Sequence, residues 1–170
     1  LYMGSFMEYK NVETLIRAME YLPDYELHLL SGIKEPRRQE LMELIPAGAK
    51  IVFHNGVSDQ EYEQLLSECT ALVTLSREEG YGLPLVEAMS MGTPVVVTDM
   101  PIFREVAEEA ALYASPDDAP GFAEQVRTLA DPATWKEFSQ RAVQRAEHYS
   151  WERSAQQLLE LAKYASDHRK

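Results

Sequence analysis

The chain of 170 residues carries 28 Asp plus Glu against 16 Lys plus Arg, a formal net charge of −12, with 45% hydrophobic and 26% charged residues. That is the composition of a folded globular chain about one domain long, and it excludes intrinsic disorder. Acids outnumber bases by 14 to 7 over residues 1–85 and by 14 to 9 over residues 86–170, so no basic stripe exists to follow a duplex, and a nucleic acid polymer is excluded as a partner.

In chain order, Leu1-Tyr2-Met3 reads as a strand already under way, and without an initiator Met the chain is expected to be a piece excised from a longer protein. A helix over 12–19 follows behind an Asn11 cap, then a strand over 26–30, a helix over 36–45 and a strand over 51–54. Ser58 and Glu61 have capping-box spacing and open a helix over 59–67. Cys69, the single cysteine, allows no internal disulfide and no multi-Cys zinc cluster, and it reads as a buried, inert thiol before a strand over 71–75. A helix over 83–90 leads to a strand over 94–98, where Val95-Val96-Val97 is apolar on both faces, as a central parallel strand covered by helices on each side must be. A weaker strand spans 111–113.

From Pro120 onward the pattern is purely helical: Phe122, Val126 and Leu129 share one face, Trp135, Phe138, Ala142 and Val143 another, and Trp151, Ala155, Leu158, Leu159 and Ala162 a third. Pro132 starts one of these helices and Ser150 caps another. They either pack on this domain or reach back to something outside the chain. Alternation of strand and helix predicts an α/β fold, a doubly wound, Rossmann-like parallel sheet of about six strands flanked by helices, with a helical C-terminal tail over 120–170. No apolar run approaches the ~18 residues of a membrane-spanning helix, so no direct membrane insertion is expected, and the chain reads as cytoplasmic. His28 and His54 lie near strand ends and read as structural; none of the four His has a partner at metal-ligand spacing, so no metal and no cofactor are expected. Asp99 and Arg104 are expected to pair and fix the loop after the fifth strand.

Open α/β sheets bind ligands where strand ends meet helix N-termini. Two loops there carry chemistry. The first runs from Gly4 to Asn11; the second is Ser76-Arg77-Glu78-Glu79-Gly80-Tyr81-Gly82-Leu83-Pro84. Gly80 and Gly82 let backbone approach a ligand, Pro84 forfeits no needed hydrogen bond in the first helical turn, and free amides there favour an anion, most naturally a phosphate. Glu79 and Glu87, eight residues apart, can face one cleft, and carboxylates accept bidentately from vicinal diols. Amides for phosphate and carboxylates for hydroxyls describe a sugar nucleotide. Against this stands the plainer alternative of a charged turn and a helix-stabilising acid.

The stretch Glu79-Gly-Tyr-Gly-Leu-Pro-Leu-Val-Glu87-Ala-Met, followed by Gly92-Thr93-Pro94-Val95-Val96-Val97-Thr98-Asp99 and Pro101-Ile-Phe-Arg104-Glu-Val, closely resembles the Glu-x7-Glu signature of retaining glycosyltransferases of the GT-B fold, family four type. Lys10-Asn11-Val12, Phe53-His54-Asn55-Gly56-Val57-Ser58, Ala110-Ala111-Leu112-Tyr113 and Ser150-Trp151-Glu152-Arg153 also match. The resemblance covers the C-terminal, donor-binding half of such enzymes, so residues 1–170 are expected to be a donor-binding domain whose N-terminal, acceptor-holding partner domain lies elsewhere in the parent chain.

The resemblance implies that Glu79 contacts the transferred sugar, that Glu87 holds the ribose hydroxyls, and that the amides of Tyr81, Gly82 and Leu83 meet the distal phosphate. Lys10 matches the lysine that neutralises the diphosphate, and Val57 falls where the family packs the base. Ser5 stands where many members carry Arg, which shifts the diphosphate onto Lys10 and the helix amides, with Arg77 a candidate substitute. The implied partner is a UDP-, GDP- or ADP-sugar. The chain is then half of a retaining hexosyltransferase, inactive by itself. Two alternatives stay open, a non-catalytic α/β module and another GT-B enzyme such as a phosphorylase or epimerase.

Overall fold

A computed structural model describes residues 1–168. Strands β1 (Tyr2–Met3), β2 (Glu26–Leu30) and β3 (Lys50–His54) pair in parallel in the order β1-β2-β3. Strands β4 (Leu72–Thr74), β5 (Val95–Thr98) and β6 (Ala111–Ala114) do the same in the order β4-β5-β6. The expected single sheet of about six strands is therefore corrected to two parallel sheets of three. The division falls between β1 and β4, which lie side by side without a ladder of their own because β1 is short, and the bonds between them are made at Leu1, just before β1: its backbone nitrogen donates to the Ala71 carbonyl at 2.9 Å, and its carbonyl accepts from the Val73 N–H at 2.8 Å. Two bonds make a seam rather than a ladder.

Helices α1 (Val12–Ala18), α2 (Glu35–Met42) and α6 (Ala119–Thr128) cover one face of these sheets. Helices α3 (Asp59–Glu68), α4 (Leu83–Ser90), α5 (Pro101–Ala107) and α7 (Pro132–Ala146) cover the other. Strand periodicity divides the apolar side chains accordingly. On β5, Val96 enters the first core while Val95 and Val97 enter the second; on β2, Leu27 and Leu29 go one way and Leu30 the other. Burial on both faces is what the unbroken valine run requires.

Two local readings are corrected. The segment after β5 is helix α5, because Phe103, Val106 and Ala107 at helical spacing are all buried; the Asp99–Arg104 pair exists, bidentate at 2.7 and 2.9 Å, but braces a helix. Asn11 is no side-chain cap for α1: it adopts the left-handed conformation (φ 53°), and its amide has better partners across the molecule. The Ser58–Glu61 capping box forms as expected. Of the C-terminal helices, α6 and α7 pack on the domain, whereas α8 (Trp151–Asp167) buries no residue and leaves Trp151, Leu158, Leu159, Leu161 and Tyr164 exposed. Among the described residues no helix is long and apolar enough to cross a membrane.

Candidate functional site

All strands are parallel, so the loops after β1, β3 and β4 emerge at one edge, and with them Lys10, Val57 and Glu79. The loop after β1 is shaped by Tyr2, whose buried hydroxyl donates to the Ser5 carbonyl at 2.6 Å. Gly4 crosses so close over that ring that a Cβ would meet its oxygen at 2.8 Å, which is why a glycine opens this loop. Ser5 is exposed. A short 3-10 turn, Glu8–Lys10, then delivers Lys10.

Lys10 Nζ meets Glu79 Oε1 at 2.7 Å, with only 16% and 14% of the two side chains exposed. The two loops are stitched together at two further points. The Arg77 N–H donates to the Tyr9 carbonyl at 2.7 Å, and the buried Asn11 amide donates to the carbonyls of Leu75 at 3.0 Å and Pro116 at 2.7 Å. Asn11 also accepts from Thr14 Oγ1 at 2.8 Å. Its left-handed backbone thus turns Lys10 toward β4 while its side chain ties together loops from three parts of the chain. Arg77 does not enter the site as a substitute for the missing arginine at Ser5; its guanidinium is engaged by Asp117 at 2.6 Å, which holds that carboxyl below the usual range.

Helix α4 begins at Gly82, whose φ of +89° is left-handed, and Pro84 occupies the first turn. First-turn amides have no acceptor within a helix. Pro84 has none to offer and Leu85 N–H turns back to the Gly82 carbonyl at 2.9 Å, so the Gly82 and Leu83 amides remain for an outside acceptor. The Tyr81 side chain is exposed and meets Tyr149 edge-on, ring centroids 6.2 Å apart. Glu87 is not joined to Glu79; its Oε2 accepts from Tyr62 Oη of α3 at 2.8 Å. Val57 and Tyr62 both pack against the second core.

His28 and His54 stack at 5.1 Å, bonded to one another at 3.1 Å, and burial with the neighbouring His28 lowers the His54 pKa. Cys69 is half-buried rather than buried as expected, and that burial raises the pKa of its thiol. An apolar cavity of about 420 Å³ opens at the opposite edge, lined by Leu15, Met19, Leu22, Phe122 and the starts of β2 and β4. Sequence reasoning named Lys10 and Glu79 without seeing that they touch, and it missed Tyr62 and the pivot at Asn11; none of these contacts has a local sequence signal.

A doubly wound α/β domain whose motif-bearing loops gather at the carboxyl edge of parallel strands is of GT-B glycosyltransferase type. Residues 1–149 match the family model for glycosyl transferases group 1, and the chain belongs to that family. It is 33% identical over 132 residues to the O-antigen chain mannosyltransferase RfbU of Salmonella typhimurium, covering 76% of this chain and 37% of that protein. It is 31% identical over 147 residues to the O-antigen chain mannosyltransferase B of Escherichia coli, covering 82% and 38%. Among solved structures, sucrose-phosphate synthase from Thermosynechococcus elongatus superposes with a TM-score of 0.89 at 28% identity, over 99% of this chain and 45% of that one. The chain therefore spans well under half the length of the curated relatives it matches.

Proposed function

We propose that this chain binds a nucleotide diphosphate sugar and is the donor half of a retaining glycosyltransferase, which transfers a hexosyl group to an acceptor held by an N-terminal domain of the same parent chain. The Lys10–Glu79 contact carries this reading. It puts a cation and a carboxylate together between two loops, one residue before the turn that opens α4. Without ligand each charge satisfies the other. A donor sugar diphosphate replaces both halves of that pair: its phosphate takes Lys10 and the α4 amides, and its sugar hydroxyls take Glu79.

As the bond to the sugar breaks, negative charge grows on the departing diphosphate. Lys10, once it has exchanged Glu79 for the phosphate, and the Gly82 and Leu83 amides stabilise that charge and so lower the barrier. The nucleotide leaves from the face that the acceptor attacks, its phosphate oxygen takes the acceptor proton, and the anomeric configuration is kept. Glu87 holds the ribose and Val57 packs the base. Two relatives are mannosyltransferases by name, so mannose is the sugar to try first.

Calorimetric titration with UDP, GDP and ADP tests the reading. One of the three is expected to bind, with affinity reduced about tenfold or more in Lys10→Ala, the effect of losing a charge-assisted hydrogen bond. Failure of all three to bind the wild-type chain overturns the proposal in favour of a non-catalytic module. Product stereochemistry by proton NMR, measured on the full-length parent, tests retention.

A further inference from the structure

Glu87 is an exposed side chain, and an exposed glutamate ordinarily samples many rotamers. Here it is held. Tyr62 Oη donates to its Oε2 at 2.8 Å, and the Tyr62 ring is itself fixed, half-buried against the second core on a helix locked at its start by the Ser58–Glu61 capping box. Burial, with the neighbouring Glu87, drives the Tyr62 pKa upward, so the phenol stays protonated and remains a donor. An ionised carboxylate offers about four lone-pair sites, and Tyr62 takes one, leaving enough to accept from two adjacent hydroxyls.

We propose that Tyr62 is a positioning residue: it orients the Glu87 carboxylate in advance for a ribose diol and thereby sets the preference of this site for ribonucleotides. The inference rests on the reading that Glu87 holds the ribose. The consequence is architectural. Val57 immediately precedes the Ser58 cap of α3 and Tyr62 lies one turn past that cap, so the base end of the site and the support for Glu87 belong to the β3–α3 corner. The phosphate end belongs to Lys10 and α4, and the Tyr62–Glu87 bond is where the two ends meet.

Preorganisation is measurable as a difference between ligands. UDP, GDP and ADP and their 2′,3′-dideoxy counterparts are titrated calorimetrically into the wild-type chain, Tyr62→Phe and Glu87→Gln. The wild type is expected to prefer the ribonucleotide, and Glu87→Gln to erase most of that preference. Tyr62→Phe is expected to weaken ribonucleotide binding roughly three- to tenfold, the worth of one hydrogen bond to a charged group, while leaving dideoxynucleotide binding unchanged. Equal weakening of both ligands marks Tyr62 as a general packing residue and overturns the inference, as does a Tyr62→Phe chain that keeps the full wild-type preference while Glu87→Gln loses it. No ribose preference in the wild type overturns the role of Glu87 and the inference together.

Discussion

Replacing Gly82 by alanine tests how α4 is started. Gly82 has φ +89° and ψ +54°, and a Cβ there would lie 2.8 Å from Cε1 of Phe103, a ring that is 1% exposed within the second core. Holding an L-residue in the left-handed region costs about 1–2 kcal/mol. Displacing a ring in a close-packed interior costs about 1–3 kcal/mol more. Gly82→Ala is therefore expected to destabilise by about 2–5 kcal/mol, and at ~2–4 °C per kcal/mol for a domain of this size the melting midpoint falls by roughly 5–20 °C. Urea and thermal unfolding followed by circular dichroism measure it. In a Phe103→Leu background only the backbone cost should persist, so the same substitution should cost about 1–2 kcal/mol there. A wild-type midpoint for Gly82→Ala, or an identical cost in both backgrounds, would refute the reasoning.

Two further outcomes are expected. Asn11→Ala strips the partners from the Leu75 and Pro116 carbonyls and from Thr14 while keeping an L-residue at positive φ, which should cost on the order of 3 kcal/mol in urea melts; Asn11→Gly, freed of the backbone strain, should recover about 1 kcal/mol of it, and equal losses would show that the strain is absent. Acid should destabilise the fold, because several carboxylates have folded pKa values below their unfolded ones: Glu61 through its hydrogen bonds from Ser58, Asp99 beside Arg104, Asp117 beside Arg77 and Asp131 through Thr134. Their stabilisation is complete above the unfolded value near ~4 and is lost as pH falls through the lowered folded values. Urea midpoints should thus hold steady from neutral pH down to about 5 and drop below 4; a flat profile to pH 3 contradicts this.

Most strands and helices were legible because their signals are local. The strand at 26–30 and the helix at 83–90 have the expected bounds, the one set by an apolar run and the other by Gly82 and Pro84. Helix α5 escaped because two turns opened by Pro101 look like a loop until Phe103 and Val106 are seen to be buried. The division of the sheet escaped for a different reason: strand composition does not reveal that β1 contributes only two residues to pairing. At the site, residue types were readable and contacts were not. Asn11 lies 64 residues from Leu75 and 105 from Pro116, and Tyr62 lies 25 from Glu87, so which side chains meet depends on which strands lie side by side.

The seam at β1 has a mechanical meaning for ligand binding. Lys10 hangs from the half-sheet that contains β1 and Glu79 from the half-sheet that contains β4, and the halves are joined by two backbone hydrogen bonds at Leu1, by the Arg77 N–H on the Tyr9 carbonyl and by the Asn11 amide on the Leu75 carbonyl. Their ion pair, 69 residues apart in sequence, exists only while the halves are docked. Whatever molecule bridges these two side chains works as a clasp across the junction of the two half-sheets, and by mass action its binding energy is added to the cohesion of the fold itself.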